Sequence, residues 1–568
     1  MKYVFKIAFI PWRFYLLSLL VLLVVAGLIV RMIDLAVIKR PFLQYQGDAR
    51  ALRLISEPSF RGMIMDRDGY PLAISTSVYS IWVNPKEFFL SQKQITMLSA
   101  ALNIEPQIIQ TLVQRYKNKN REFVYLKRQV APDSAEKIKS WMLPGIYLQQ
   151  DYKRFYPEGE VAAHVIGFTN VDDQGQEGLE LAYNDWLTGA SGKKYVLKDR
   201  RGRVISNLQT IQKQRAGSDL TLSINRRIQY LAYRELLQGV EKNSAASGSV
   251  VVLDIKTGEV LAMVNQPSFN PNKISLQEKD HLRNRAVTDI FEPGSTIKTF
   301  SITSALDSGK FKPDTMIDTY PGWIRVEHHL VRDENNNGLL SLMQVLQLSS
   351  NVGVTKIILS LPPNQLWSLL HRIGFGEITE MGFPGEQAGR LIKRSVWNPF
   401  ALATLSFGYG ISVTTLQLAH AYATLANDGI KIPVSLLRVD QPPAGERVIN
   451  SRIAHTMLEL LQSVVAKGGT GSPARIPGYQ IAGKTGTALM VGEKGYQQHH
   501  YISSFVGIAP ASHPKVVVAV VIHDPQGKQY YGGYVSGPVF AKIMEGTLRI
   551  LNIAPDDPAA LQEQKNAA

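Results

Sequence analysis

The sequence predicts an α+β protein with a single N-terminal transmembrane helix, a β-rich first domain and a second domain built on an antiparallel sheet flanked by helices. Three observations carry this reading. Seventeen uncharged residues, FYLLSLLVLLVVAGLIV, run from Phe14 to Val30. In the second half, strand-like runs bracket a mainly helical block, the arrangement of one sheet assembled from both ends of a segment. The length, 568 residues, exceeds what one compact domain accommodates.

The apolar run continues past Arg31 through Met32, Ile33, Leu35, Ala36, Val37 and Ile38, which brings it to the roughly 20 residues that cross a bilayer. No small-x-small cleavage site follows it, so residues 14–38 are read as an uncleaved anchor rather than a signal peptide. Lys2, Lys6 and Arg13 precede it, while Arg31, Lys39 and Arg40 follow with Asp34. This balance tilts residues 1–13 toward the cytoplasm and the rest outside. The composition, 45% hydrophobic and 19% charged, is globular and excludes a largely disordered or collagen-like chain. The absence of cysteine excludes disulfides, thiolate zinc sites and a cysteine nucleophile. A net charge of +15 suits anionic lipid, acidic wall polymer or nucleic acid. The anchor selects the first two, so a membrane is expected and nucleic acid is not.

Residues 45–220 are rich in charge, Gly and short apolar runs, with few helical stretches expected. Arg61-Gly62-Met63-Ile64-Met65-Asp66-Arg67-Asp68-Gly69 and the following Tyr70 to Ala73 read as strand, turn and strand. From Asn225 to Asn243, Ile224, Ile228, Ala232, Leu236 and Val240 recur every four residues, an amphipathic helix. Ser249–Ile255 and Glu259–Asn265 read as paired strands, as do Ile502–Ile508 and Val516–Ile522. Between them Ser412–Asn427 reads as a helix closed by Gly429. The second domain is thus placed at 221–552, with 553–568 a frayed tail.

Chemistry enters through short motifs, each weak alone. Ser-x-x-Lys puts a nucleophile and a base on one helical face, and it occurs at Ser134/Lys137, Ser191/Lys194, Ser295/Lys298 and Ser512/Lys515. Ser295 follows a Glu292-Pro293-Gly294 bend into an apolar helix, where backbone N–H groups face any oxyanion formed. The others read as an exposed helix start, a flexible turn and a hairpin tip. Lys-Thr-Gly occurs at Lys256, between Asp254 and Glu259, and at Lys484, with no acid until Glu493. Only the second suits an anion, with Lys484, Thr485, Gly486 and Thr487 along a strand edge. Ser-x-Asn occurs at Ser223, Ser268 and Ser349.

The ordered triple Ser295/Lys298, Ser349/Asn351, Lys484-Thr485-Gly486 is far more specific than any member. It resembles the class B penicillin-binding proteins, serine acyltransferases that cross-link peptidoglycan. The Arg61–Gly69 segment, the run from Arg154 to Glu180, Ser406-Phe407-Gly408-Tyr409-Gly410 and Tyr531-Gly532-Gly533-Tyr534 carry the resemblance over most of the chain. The short anchor and the ending at Tyr531 fit the division-septum branch of Gram-negative bacteria. The resemblance implies a serine β-lactamase-like transpeptidase domain and a non-catalytic, dimerisation-type pedestal over 45–220. It implies Ser295 as nucleophile, Lys298 as its base, Ser349 as proton relay, and Asn351 holding a substrate amide. Lys484, Thr485 and Thr487 would receive the carboxylate of a D-Ala-D-Ala stem peptide, with the N–H groups of Ser295 and Thr487 as oxyanion donors. β-Lactams would acylate the same serine. No cofactor or metal is called for; a SEDS-type glycan polymerase and division-complex membrane proteins are the implied partners.

Asp333-Glu334-Asn335-Asn336-Asn337-Gly338 matches the opening of a calcium loop, but its twelfth position is Gln344, which supplies no bidentate carboxylate. It is read as a polar turn, and His328-His329 and His499-His500 as exposed loop histidines. A β-lactamase is the rival within the superfamily, but no Glu-x-x-Leu-Asn segment is present. An elongation-complex transpeptidase and a non-turnover penicillin sensor are the remaining alternatives.

Overall fold

The computed structural model describes residues 11–198, 204–492 and 495–557. Lys2, Lys6, Glu493 and most of the proposed tail lie outside the described residues. The chain forms two compact units, one of residues 1–59 with 189–216 and one of 60–188 with 217–568.

In the first unit the anchor helix spans Pro11–Ile33 and continues through one wider turn, Asp34–Ile38. It is one continuous span long and apolar enough to cross a membrane. At its far end the Asp34 carboxylate accepts from Arg31 at 2.7 Å and Lys39 at 3.0 Å. A second helix, Arg40–Ala51, leads into a three-stranded antiparallel sheet of Leu52–Glu57, Gly192–Lys198 and Val204–Gln212. Ser191/Lys194, expected in a flexible turn, therefore sits at the start of a strand. There Lys194 pairs with Glu57, opposite charges on adjacent strands.

In the second unit, residues 60–188 carry the long strand Pro71–Val83, flanked by Val124–Val130 and Ile146–Phe155. This region holds more helix than expected. Gln92–Leu102, Pro106–Asn118 and Pro132–Ser140 bury Ile95, Leu98, Leu102, Ile109, Val113, Ala135 and Ile138 against one face of that sheet. The signal was present: Ser91 caps the first helix reciprocally with Gln94, and Pro106 and Pro132 stand at first-turn positions of the others.

The C-terminal part of this unit opens with the helix Arg226–Lys242, capped by Asn225. Its sheet has the order Val260–Gln266, Ser247–Asp254, Val516–His523, Gly495–Ala509, Ala482–Gly492, all antiparallel. Strands from the two ends of the segment thus meet at its centre, as the sequence predicts. The central strands are buried on both faces because Arg226–Lys242 and Gly532–Ile550 cover one side and the helical block the other. The helix expected from Ser412 starts at Thr415, because Ser412 belongs to a two-residue strand paired with Arg390–Leu391 and Thr414 caps the helix. His499 and His500 lie on the Gly495–Ala509 strand rather than in a loop.

Candidate functional site

Ser295 sits in a tight turn, Gly294–Ile297, that runs into the helix Lys298–Asp307. Gly294 has φ +55°, and a Cβ there would stand 3.1 Å from the Thr487 carbonyl oxygen. Gly408 has φ +86°, and a Cβ there would stand 2.0 Å from the Gly294 oxygen. The Gly294 N–H donates to the Gly408 carbonyl at 3.1 Å. Glycine at both positions therefore lets the serine's turn be clamped between the Ser406–Gly410 segment and the Ala482–Gly492 strand.

Among the described residues that strand pairs only with Gly495–Ala509 and forms the edge of the sheet. Leu489 N donates to the Tyr409 hydroxyl at 3.3 Å, and the edge before it can take an added extended peptide. Gly486 presses on the Ser295 turn: a Cβ there would stand 2.3 Å from Ser504 Oγ and 2.9 Å from the Pro293 oxygen. Gly486→Ala is expected to push the strand off the turn and slow β-lactam acylation by about tenfold to hundredfold, read by stopped-flow labelling.

Ser349 joins the three motifs. Its Oγ accepts from Lys298 Nζ at 3.1 Å and from Lys484 Nζ at 3.0 Å, and its carbonyl also accepts from Lys298. Ser349 reaches this position in the left-handed region, at φ +60°, which costs a non-glycine residue about 1–3 kcal/mol. The surrounding structure enforces it: Ser350 N donates to Val345 O at 2.9 Å and Ser350 Oγ caps the helix Asn351–Leu359. Lys484 also reaches the Thr485 carbonyl at 3.3 Å and hydroxyl at 3.4 Å. Thr487 Oγ1 accepts from Gly532 N at 3.0 Å. Asn351 lies at the first turn of its helix, its amide donating to the Arg332 carbonyl at 2.9 Å.

Both lysines are fully buried, at 0% exposure. Burial pushes Lys298 down to about 7, against the pull of Asp333 and Glu334, whose charges favour the ammonium. Burial, and then the charge of Lys298, hold Lys484 well below the usual lysine range. Two ammonium groups on one hydroxyl repel, so the pair does not hold two protons readily.

The decoy motifs are occupied elsewhere. Asp254 accepts from the backbone of Lys256 and Thr257, Lys256 donates to Asn427, and Thr257 to Glu259. Ser512 donates to Asp556 at 2.6 Å, and Ser134 lies in the first turn of Pro132–Ser140.

Sequence reasoning missed Thr470, whose hydroxyl meets that of Thr485 at 3.1 Å and whose N–H donates to the Gln347 carbonyl at 3.3 Å. The glycines around it, Gly468, Gly469 and Gly471, were the available signal. Past Thr487 on the same strand, Leu489 and Val491 line, with Glu292, Arg390, Arg394 and Gly410, a cavity of about 600 Å³. Glu292 accepts there from Gly410 N at 2.8 Å and Tyr496 OH at 3.2 Å.

The chain that brings together two buried lysines, a bridging serine and a helix-start serine is similar to known proteins. Residues 248–545 match the penicillin-binding protein transpeptidase domain, and 56–222 the penicillin-binding protein dimerisation domain. The chain belongs to the class B penicillin-binding proteins. It is 46% identical over 553 residues to the peptidoglycan D,D-transpeptidase FtsI of Escherichia coli K12, covering 96% of this chain and 93% of that protein. The apo transpeptidase domain of penicillin-binding protein 3 from Burkholderia pseudomallei aligns at TM-score 0.55 and 41% identity, over 59% of this chain and 97% of that one. The aztreonam complex of penicillin-binding protein 3 from Mycobacterium tuberculosis aligns at TM-score 0.68 and 26% identity, over 89% and 99%. The helices among residues 60–188 are thus part of a penicillin-binding protein pedestal, and the edge strand at Lys484 is part of its transpeptidase domain.

Proposed function

We propose that Ser295 is the residue through which this chain, a peptidoglycan D,D-transpeptidase, forms its acyl-enzyme. The observation that carries the reading is Ser349 Oγ held between two buried lysines, Lys298 at 3.1 Å and Lys484 at 3.0 Å, next to the turn of Ser295. The terminal carboxylate of a D-Ala-D-Ala stem peptide docks at Lys484, Thr485 and Thr487, with Gly486 allowing the close strand. Its negative charge favours the ammonium on Lys484, and that ammonium in turn favours neutral Lys298. Neutral Lys298 takes the Ser295 proton as the hydroxyl attacks the penultimate D-Ala carbonyl. The oxyanion is met by the N–H groups of Ser295 and Thr487. Ser349 passes the proton to the departing amine, the terminal D-Ala leaves, and an amine of a neighbouring stem peptide resolves the ester. Asn351 holds the amide of the donor backbone, and the cavity beyond Thr487 leaves room for donor residues upstream. β-Lactams enter the same site and stop at the ester.

The protein is a single-pass inner-membrane protein. Its N-terminus is placed in the cytoplasm and its catalytic domain in the periplasm, consistent with Arg13 before the apolar run. The working boundaries are the anchor at 14–38, the pedestal at 45–220 and the transpeptidase domain at 221–552. Septal cross-linking, alongside a SEDS-type polymerase that supplies glycan and other division-complex membrane proteins, is the cellular role proposed from the family.

Peptide mapping of detergent-solubilised full-length protein after penicillin treatment tests the assignment. The adduct is expected on the peptide containing Ser295. An adduct at Ser134, Ser191 or Ser512 overturns it. With a D-Ala-D-Ala stem peptide and an acceptor amine, release of D-Ala together with the cross-linked product is expected.

A further inference from the structure

The polar turn after the His329–Arg332 strand is tied to the catalytic serine loop more closely than its sequence suggests. Asp333 Oδ1 accepts from the backbone N–H of Asn351 at 2.5 Å and of Val352 at 2.9 Å. Its Oδ2 accepts from Ser350 Oγ at 2.5 Å, the same hydroxyl that caps Gly353 at 2.8 Å. Asp333 therefore supplies, from a different part of the chain, acceptors for the exposed N–H groups of the Asn351–Leu359 helix. Its own backbone is fixed by Asp333 N donating to Gly322 O at 2.9 Å, and the neighbouring Arg332 carbonyl holds the Asn351 amide. Arg332 and Asp333 together grip every residue from Ser350 to Val352. Ser349, immediately before them, is the residue held at φ +60° with its hydroxyl between Lys298 and Lys484.

We propose that Asp333 is a positioning residue for the transpeptidase reaction, holding the Ser349–Asn351 loop in the backbone conformation that brings the Ser349 hydroxyl onto both lysines. It touches no reacting atom and acts through Ser350 and the Asn351–Val352 backbone. The inference rests on the reading of Ser295, Lys298 and Ser349 as the acylation machinery. A carboxylate is suited to the place because it accepts three bonds from donors that all converge on one side. Its charge has a second consequence. The groups facing Lys298 are Asp333 and Glu334 from this turn, which favour its ammonium, and Lys484 from the edge strand, which opposes it. Removing the Asp333 charge lowers the Lys298 pKa further. Acylation requires neutral Lys298, so the acid limb of its pH profile moves to lower pH.

The test is the second-order acylation rate of full-length Asp333→Asn by a fluorescent penicillin, from about pH 5 to pH 9, beside thermal denaturation. Expected are a rate about tenfold to hundredfold below wild type at neutral pH and an acid limb displaced to lower pH. Asp333→Glu, which keeps the charge, is expected to leave the limb in place. A wild-type rate, or a limb that stays put in Asp333→Asn, overturns the proposal and leaves Asp333 a helix cap only. If Asp333→Asn is insoluble, Asp333→Ser, an uncharged capping residue, is read for the same two quantities. An adduct away from Ser295 in wild type would instead overturn the underlying assignment, independently of any Asp333 variant.

Discussion

Replacing Lys298 by Met is expected to slow β-lactam acylation by about 10²–10⁴-fold, the range a positioned general base contributes, while removing a pH dependence from the stability of the fold. Met matches the volume and apolar stem of Lys and leaves the buried site filled. On the proposed mechanism the catalytic effect follows from the loss of the base, the amine that stands 3.1 Å from Ser349 Oγ. In wild type the acylation rate is expected to rise with pH through about 7, where Lys298 gives up its proton. In Lys298→Met that rise disappears from the residual rate.

The stability effect has a definite sign. Unfolded, the lysine titrates near 10.4; folded, burial holds it at about 7. Between those two values the unfolded chain binds one proton more than the folded one, so stability rises with pH. The contribution is fully present above the unfolded value and is lost as pH falls toward the folded one. One such group gives a slope of about 1.4 kcal/mol per pH unit. Lys484 adds a slope of the same sign, since its pKa is also lowered. Thermal midpoints of wild type and Lys298→Met across this window are expected to converge as pH rises, the variant having the flatter curve. Parallel curves would mean that Lys298 stays protonated in the fold and cannot be the resting base. The variant gives up part of its advantage, because the Ser349 carbonyl loses a donor at a cost of about 1–3 kcal/mol.

The residues of this site were legible because their neighbours in sequence are unlike those of the decoys. Lys484 follows Ile481-Ala482-Gly483 and has no acid nearby, and it emerges on the sheet edge. Lys256 sits between Asp254 and Glu259, and those acids are its turn's partners. Gly294 before Ser295 signalled a bend, and its positive φ is what the clamp requires. What the sequence concealed was the geometry that unites the motifs. Nothing in Ser349-Ser350-Asn351 announces a left-handed serine, because that conformation is imposed by bonds from residues far along the chain. Asp333 is 16 residues before Ser349, in a stretch whose asparagines and glycine read as an exposed turn. The pedestal helices were hidden differently. Their buried stripes are narrow, with Ile95, Leu98 and Leu102 in one and Ile109 and Val113 in another, set among many polar residues. A short stripe suffices because the helices cover only one face of a small sheet.

The largest structural effect is expected away from Ser295, at Glu180 in the pedestal. Its two oxygens accept from Arg61 Nε at 2.5 Å and Arg154 Nε at 2.7 Å, with all three side chains buried. Arg61 further donates to the Asp173 and Glu180 carbonyls, Asn184 and Thr188. The guanidinium thus ties the start of the pedestal to the segment from Asp173 to Thr188, and Glu180 neutralises it. Glu180→Gln is nearly isosteric but leaves two buried arginines with no paired carboxylate, only the Asp173 carboxyl nearby, itself pushed up to about 6 by burial, a change of the class that costs about 3–5 kcal/mol. Arg154→Met removes one cation and leaves Glu180 paired with Arg61, so its loss is expected to be smaller. Hydrogen exchange resolved along the chain checks both: Glu180→Gln should speed exchange across residues 154–188 more than Arg154→Met does. Equal losses in the two variants would show that the carboxylate balances one arginine only. Because the pedestal cluster makes no bond to Ser295, Lys298, Ser349 or Lys484, the protein that remains folded should still acylate at the wild-type rate, separating support of the fold from chemistry.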